Sequence, residues 1–256
     1  MDTCRSLLVA FLVGGCAPRI PPEPPVAPDL ALGQRVYRAS CAPCHGARGQ
    51  GDGPAAPFLD PQPRALVDAQ YKLRTTATGA LPTDRDLLRT VTDGVFGTPM
   101  RGFRETLSAH QRRSVVAYVQ SFSRRFAEET RGPAVEMPAA PAPNVARGRW
   151  VWRTMKCAEC HGPRGRGDGP SNPTLVNYRN EANPSHDFGL GYLKRGLSRE
   201  SVYLTLRTGL DGTPMPSYEA AATDADLWAL SDYILTLIPR RGAWRWLSDP
   251  VDRDYP

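Results

Sequence analysis

Apolar positions recur at helical spacing in a pattern that the chain uses twice. Leu32, Val36 and Ala39 fall three to four residues apart and predict a helix ending just before Cys41. Val145 to Lys156 predicts its counterpart before Cys157, with Trp150 and Trp152 adding aromatic bulk. Further along, Val115, Val116, Val119 and Phe122 line one amphipathic helix, and Leu227, Leu230, Ile234 and Leu237 line another. Start signals agree with these positions. Thr83-x-x-Asp86, Ser108-x-x-Gln111 and Thr223-x-x-Asp226 have the form of capping boxes, and Ser198 fills the N-cap slot that remains. The shorter helices begun by Thr83 and Ser198 are expected to stop at Gly94 and Gly209.

The spacing of the two halves is close to constant. Cys41 and Cys157 are 116 residues apart, whereas Gly94 and Gly209, Met100 and Met215, and Tyr118 and Tyr233 are 115 apart. Two similar units of about 100 residues argue for two domains rather than a solenoid. We place them at 29–126 and 145–256. A linker at 127–144 joins them, carrying the proline-rich run 133–143, which is expected to be semi-extended and to set the spacing between the domains. Residues 242–256, with Trp244, Trp246 and Tyr255, have no counterpart in the first half.

Composition changes the picture at the N-terminus. Proline, at 26 of 256 residues, is about twice its usual share and points to linkers. Leu7 to Val13 is an apolar run of signal-peptide length, far short of the ~20 residues that cross a bilayer. Val13-Gly14-Gly15-Cys16 follows it and resembles the lipobox of bacterial lipoproteins, in which the cysteine receives lipid. Residues 1–16 therefore read as a signal peptide with lipidation at Cys16, and residues 17–28 as a proline-rich spacer. The expected location is the periplasmic side of a bacterial membrane, with the lipid as the only membrane attachment.

Four of the six cysteines carry the candidate chemistry. Cys41-Ala-Pro-Cys44-His45-Gly46 and Cys157-Ala-Glu-Cys160-His161-Gly162 are each followed by a tail ending in Gly-Asp-Gly-Pro. C-x-x-C-H reads as a c-type haem attachment site: both thiols add to haem vinyl groups and the histidine reaches the iron. Two other chemistries use C-x-x-C. A redox dithiol calls for a βαβ context and no histidine. A zinc site would draw thiolates from all four cysteines. Both leave the histidines and the repeated tails unexplained.

Met100 and Met215 close matching loops, Gly97-Thr98-Pro99-Met100 and Gly212-Thr213-Pro214-Met215. A thioether paired with histidine is the ligand set of electron-transfer haems, and the preceding proline restricts the approach of the sulfur. Met137 falls in the linker and Met155 on the approach to Cys157, so neither is a ligand. His110 and His186 are read as surface residues.

With these residues in view, the chain resembles a di-haem cytochrome built of two class I cytochrome c domains. The resemblance runs from Asp29 to about Arg240, and it implies a mainly α fold with a few short helices around each covalent haem. It also implies two haem c cofactors and export before haem attachment. The iron ligands would be His45, Met100, His161 and Met215. Tyr71, Lys72 and Arg74 in one half, and Tyr192, Lys194 and Arg195 in the other, are candidate propionate contacts. The implied function is one-electron transfer between respiratory redox partners, without enzymatic activity. The alternative is a di-haem enzyme, peroxidase-like or thiol-oxidising, with one labile axial ligand. Charge bears on partners: residues 29–126 carry net +6 and residues 145–256 net +2. A basic rim at Arg101 and Arg104 would steer an acidic redox partner to the first domain; a respiratory complex is a further expected partner, and nucleic acid is not.

Overall fold

The computed structural model describes residues 26–239. Cys16, the signal and most of the spacer lie outside these residues, as do Trp244, Trp246 and Tyr255. Among the described residues there are helices and isolated bridges but no β-strand.

The first half contains α1 (Leu30–Ser40), α2 (Ala42–His45), α3 (Asp84–Asp93), α4 (Ala109–Gln120) and α5 (Arg125–Glu128). The second contains α6 (Val145–Thr154), α7 (Ala158–His161), α8 (Arg199–Thr208) and α9 (Asp224–Leu237). Capping starts the helices where the sequence places it. Thr83 and Ser108 form reciprocal boxes with Asp86 and Gln111. Gly94 and Gly209 cap the ends of α3 and α8. The Thr223 box differs: Thr223 Oγ1 accepts from Asp226 N at 3.2 Å, while the Asp226 carboxylate takes Arg147 of α6 at 2.7 Å. Helix α6 also ends two residues earlier than the apolar pattern suggests.

In each half the first helix packs on the long helix that follows the methionine loop, α1 on α4 and α6 on α9. The crossing is made at a glycine. A Cβ on Gly33 would lie 2.1 Å from Ser114 O, and one on Gly148 would lie 1.9 Å from Ala229 O. One turn later stands a buried aromatic residue, Tyr37 at 0% exposure and Trp152 at 3%. Tyr37 packs edge-on to Phe122 and donates its hydroxyl to Gly46 O at 2.7 Å. Trp152 packs on Tyr233 and Phe188. Burying each such ring contributes roughly 2–3 kcal/mol. Trp150, by contrast, is exposed and lies under the Arg147 guanidinium.

The two halves are offset differently along their length. Gly33 and Gly148, like Tyr37 and Trp152, are 115 apart, one fewer than the cysteines. The second half absorbs its extra residue at Lys156, which takes the left-handed φ of 54°. A larger difference follows the haem motif. Leu66 N donates to Gly49 O, and Phe188 N donates to Gly165 O, so these equivalent residues stand 122 apart. The offset returns to 115 by Thr83 and Ser198.

The halves pack against each other directly. Arg74 is fully buried. Its guanidinium donates to Thr208 O at 2.8 Å and pairs with Asp211 at 2.8 Å, both in the second half. In return Arg195 donates to Arg74 O at 2.8 Å. Thr78 Oγ1 also donates to Thr208 O, and Tyr178 Oη to Asp68. The linker is fastened at both ends, by Val135 N to Thr75 O and by Arg199 to Pro141 O. Spacing is therefore set by this interface and not, as expected, by a semi-extended linker.

Candidate functional site

Each half encloses a cavity at its haem motif. In the first half Cys41, Cys44, His45 and Met100 line one of ≈ 300 Å³. In the second half Cys157, Cys160, His161 and Met215 line one of ≈ 200 Å³. In each pair the first cysteine is the N-cap of a single helical turn, α2 or α7, and the second lies within that turn, just before the histidine that ends it. The glycine-rich tail then folds back on that turn. Gly51 N donates to His45 O, and Gly167 N to His161 O, both at 2.9 Å. Gly53 N donates to Cys44 O at 3.2 Å. This accounts for the repeated tails.

His45 Nδ1 contacts Arg64 O at 3.0 Å. That bond assigns the Nδ1 proton and leaves the Nε2 lone pair to face a metal. Burial holds the imidazole below its ordinary pKa, and the Arg64 carbonyl offsets part of that. Burial also lowers His161, and the His186 backbone acts on it in the place that Arg64 occupies in the first half, although His161 Nδ1 makes no hydrogen bond of normal geometry. Both imidazoles are thus neutral near pH 7, the form that ligates iron.

The methionine loops are built alike. Thr98 Oγ1 donates to Val95 O at 2.8 Å and accepts from Met100 N at 3.2 Å. Thr213 Oγ1 donates to Leu210 O at 2.7 Å and accepts from Met215 N at 3.2 Å. The threonine in each Gly-Thr-Pro-Met run therefore fixes the methionine backbone, a role that the motif signals but that periodicity does not. The first thiol of each pair is un-ionised. Burial and then the neighbouring Cys44 push Cys41 up to about 11, and burial pushes Cys157 up to about 12. A working dithiol needs the opposite shift. The two cysteine pairs line separate cavities, so they do not form one four-thiolate zinc site. In each half a cysteine pair, the histidine that ends their turn and a methionine line the same largely apolar cavity, and this set fits a covalently attached haem.

The candidate propionate residues are distributed unevenly. Tyr71 and Lys72 line the first cavity, and Lys194 and Arg195 line the second. Arg74 lines neither. Its guanidinium is taken up by the domain interface, which corrects that expectation. Tyr192 also lies outside the cavity lining and rests instead on Gly97 of the first half. His186 is a further correction: it is half-buried in the wall of the second cavity, with Nε2 2.8 Å from Tyr192 O. His110, on the first turn of α4, lines neither cavity.

Lys72, Leu73, Lys194 and Leu210 line both cavities. The two sites therefore share part of their wall. Burial drives Lys72 down to about 7, with Arg64 and Lys194 adding repulsion. Burial and then Arg64 also lower Lys194, against the pull of Asp60. Of the basic rim, Arg101 is exposed against Phe103, whereas Arg104 pairs with Asp93 at 2.7 Å.

Residues 145–237 match the cytochrome c family. Residues 28–119 match the family described as cytochrome c oxidase, cbb3-type, subunit III. No curated protein matches the chain. Among solved structures, a chain of the Kuenenia stuttgartiensis reducing HAO-like protein complex is similar, with a TM-score of 0.80 and 37% identity. The match covers 84% of this chain and 99% of that one. The two attachment turns, each on its own apolar cavity, hold two covalently bound haems c, and the chain belongs to the c-type cytochromes as a di-haem member.

Proposed function

We propose that the protein is a one-electron carrier whose two irons are each six-coordinate, held by His45 and Met100 in the first half and by His161 and Met215 in the second. The observation that carries this reading is the presence of a matched histidine and methionine in each cavity lining. Bound haem supplies a one-electron iron couple, whose potential a thioether ligand raises. The chain's own part is to orient the His45 imidazole through the Arg64 carbonyl, to set the His186 backbone beside that of His161, and to fix the methionine backbones through Thr98 and Thr213. The apolar walls keep water away. An iron with both axial positions filled has none left for substrate, which separates a carrier from a peroxidase-like or thiol-oxidising enzyme. The similar chain belongs to a reducing HAO-like complex, which supports a role in passing electrons to or from a larger redox enzyme. Carbon monoxide added to the reduced protein is expected to leave the visible spectrum unchanged. A rapid carbon monoxide adduct at either iron would overturn the carrier reading. Met100→Ala and Met215→Ala are each expected to lower the potential of one haem and to admit the gas there.

The same proposal places the protein on the periplasmic side of a bacterial membrane, tethered through Cys16 and spaced from it by residues 17–28. No helix among the described residues is long and apolar enough to cross a membrane. Cys16→Ser is expected to move the haem protein from the membrane fraction to the soluble fraction. Wild type recovered wholly in the soluble fraction would refute the tether.

A further inference from the structure

Each half touches the other at a particular place. Tyr192, two residues before Lys194, lays its ring on the first half's methionine loop. A Cβ on Gly97 would lie 1.8 Å from Tyr192 Cε2, and Tyr192 Oη reaches Gly97 O at 3.4 Å. Tyr192 is itself held from behind. Its carbonyl meets His186 Nε2 at 2.8 Å, and the two rings pack edge-on at 4.8 Å. His186 is the residue whose backbone faces His161. The reverse contact has the same logic. Arg64, whose carbonyl takes His45 Nδ1, places its guanidinium against the second methionine loop, with Nη1 3.1 Å from where a Gly212 Cβ would stand. Tyr178 completes that contact, with its ring 5.9 Å from the Arg64 guanidinium carbon and its N–H donated to Gly212 O at 3.3 Å.

The segment that backs the histidine in one half therefore braces the methionine in the other, and it does so twice. From this we infer that the two axial ligand sets are mechanically coupled across the interface, with Tyr192 as a positioning residue for Met100 and Arg64 as one for Met215. The inference rests on the His/Met reading above and adds what keeps each sulfur in place. A side chain at 97 would occupy the space that Tyr192 of the other half fills, and one at 212 would meet Tyr178 of its own half at 2.8 Å and the Arg64 guanidinium at 3.1 Å. The iron–thioether bond is weak enough for a loose loop to release it, so losing the ring from Tyr192 should free Met100 while Met215, braced elsewhere, stays bound.

The test is proton NMR of the reduced di-haem protein, in which each ligating methionine gives its own ring-current-shifted methyl signal. Met100→Ala and Met215→Ala assign the two signals, and a redox titration accompanies each spectrum. Tyr192→Ala is expected to abolish or broaden the Met100 signal and lower the potential of that haem, leaving the Met215 signal intact. Tyr192→Phe, which keeps the ring, should behave as wild type. Mass spectrometry confirms two haems in every variant. If Tyr192→Ala keeps the Met100 signal and its potential, the brace is refuted while His/Met ligation stands. Loss of both signals together would mark general loosening and refute the specific pairing. A wild type with no methionine signal would overturn the ligation and the brace together. Should Tyr192→Ala fail to accumulate, Tyr192→Leu, with its smaller apolar side chain, is read by the same criteria.

Discussion

At the scale of single residues, Arg74 shows how a buried cation changes meaning once its surroundings are known. In sequence it stands beside Tyr71 and Lys72 and reads as a propionate contact. In the fold its guanidinium donates to the carbonyl that ends α8 and pairs with Asp211. Burial lowers the pKa of Arg74 and raises that of Asp211, each against the pull of its partner. Desolvation therefore cancels much of the attraction, and the pair adds little net stability while either member alone is costly. Arg74→Met is expected to destabilise the protein by about 3 kcal/mol in denaturant unfolding. Arg74→Met with Asp211→Leu should recover most of that loss. A double variant as unstable as the single one would show that the worth of Arg74 lies in its bond to Thr208. The haem cysteines, histidines and methionine loops were legible because their chemistry demands fixed residue types at fixed spacing. The fate of Arg74 and Tyr192 was not, because it depends on contacts more than ninety residues away in sequence.

At the scale of elements, the helix starts and stops were written in local residues, and most were found where Thr, Ser and Gly predicted them. The exceptions have tertiary causes. Asp226 is drawn from its capping box to Arg147 on α6, and α6 ends early because Lys156 turns left-handed to fit one more residue before Cys157. Neither the glycine crossing nor the 122-residue offset could be read from apolar periodicity, since a glycine leaves no mark on it and two opposite length changes nearly cancel. The crossing is nevertheless sensitive. Gly148→Ala pushes a methyl into the Ala229 carbonyl, a backbone atom that cannot swing aside. Overpacking of this kind costs about 1–3 kcal/mol. Thermal unfolding should show the loss, and Gly33→Ala should reproduce it in the first half. If both variants match wild type, α6 and α1 are free to shift outward at no cost.

At the scale of the whole molecule, charge is divided unevenly between the two halves. The first half is the more basic, and with Arg104 paired to Asp93 the exposed charge beside Met100 is Arg101. Our proposal of an acidic redox partner there predicts electron-transfer rates that fall with ionic strength. Arg101→Glu should be slower at low salt and flatter across the salt range. Equal profiles for both proteins would move the docking surface elsewhere. The wall of Lys72, Leu73, Lys194 and Leu210 reaches further than docking. On the carrier proposal, two haems that share this wall are expected to feel each other's charge through low-dielectric side chains. The second electron is then expected to enter against the field of the first, so that the molecule would fill and empty, like a two-plate store, in two unequal steps.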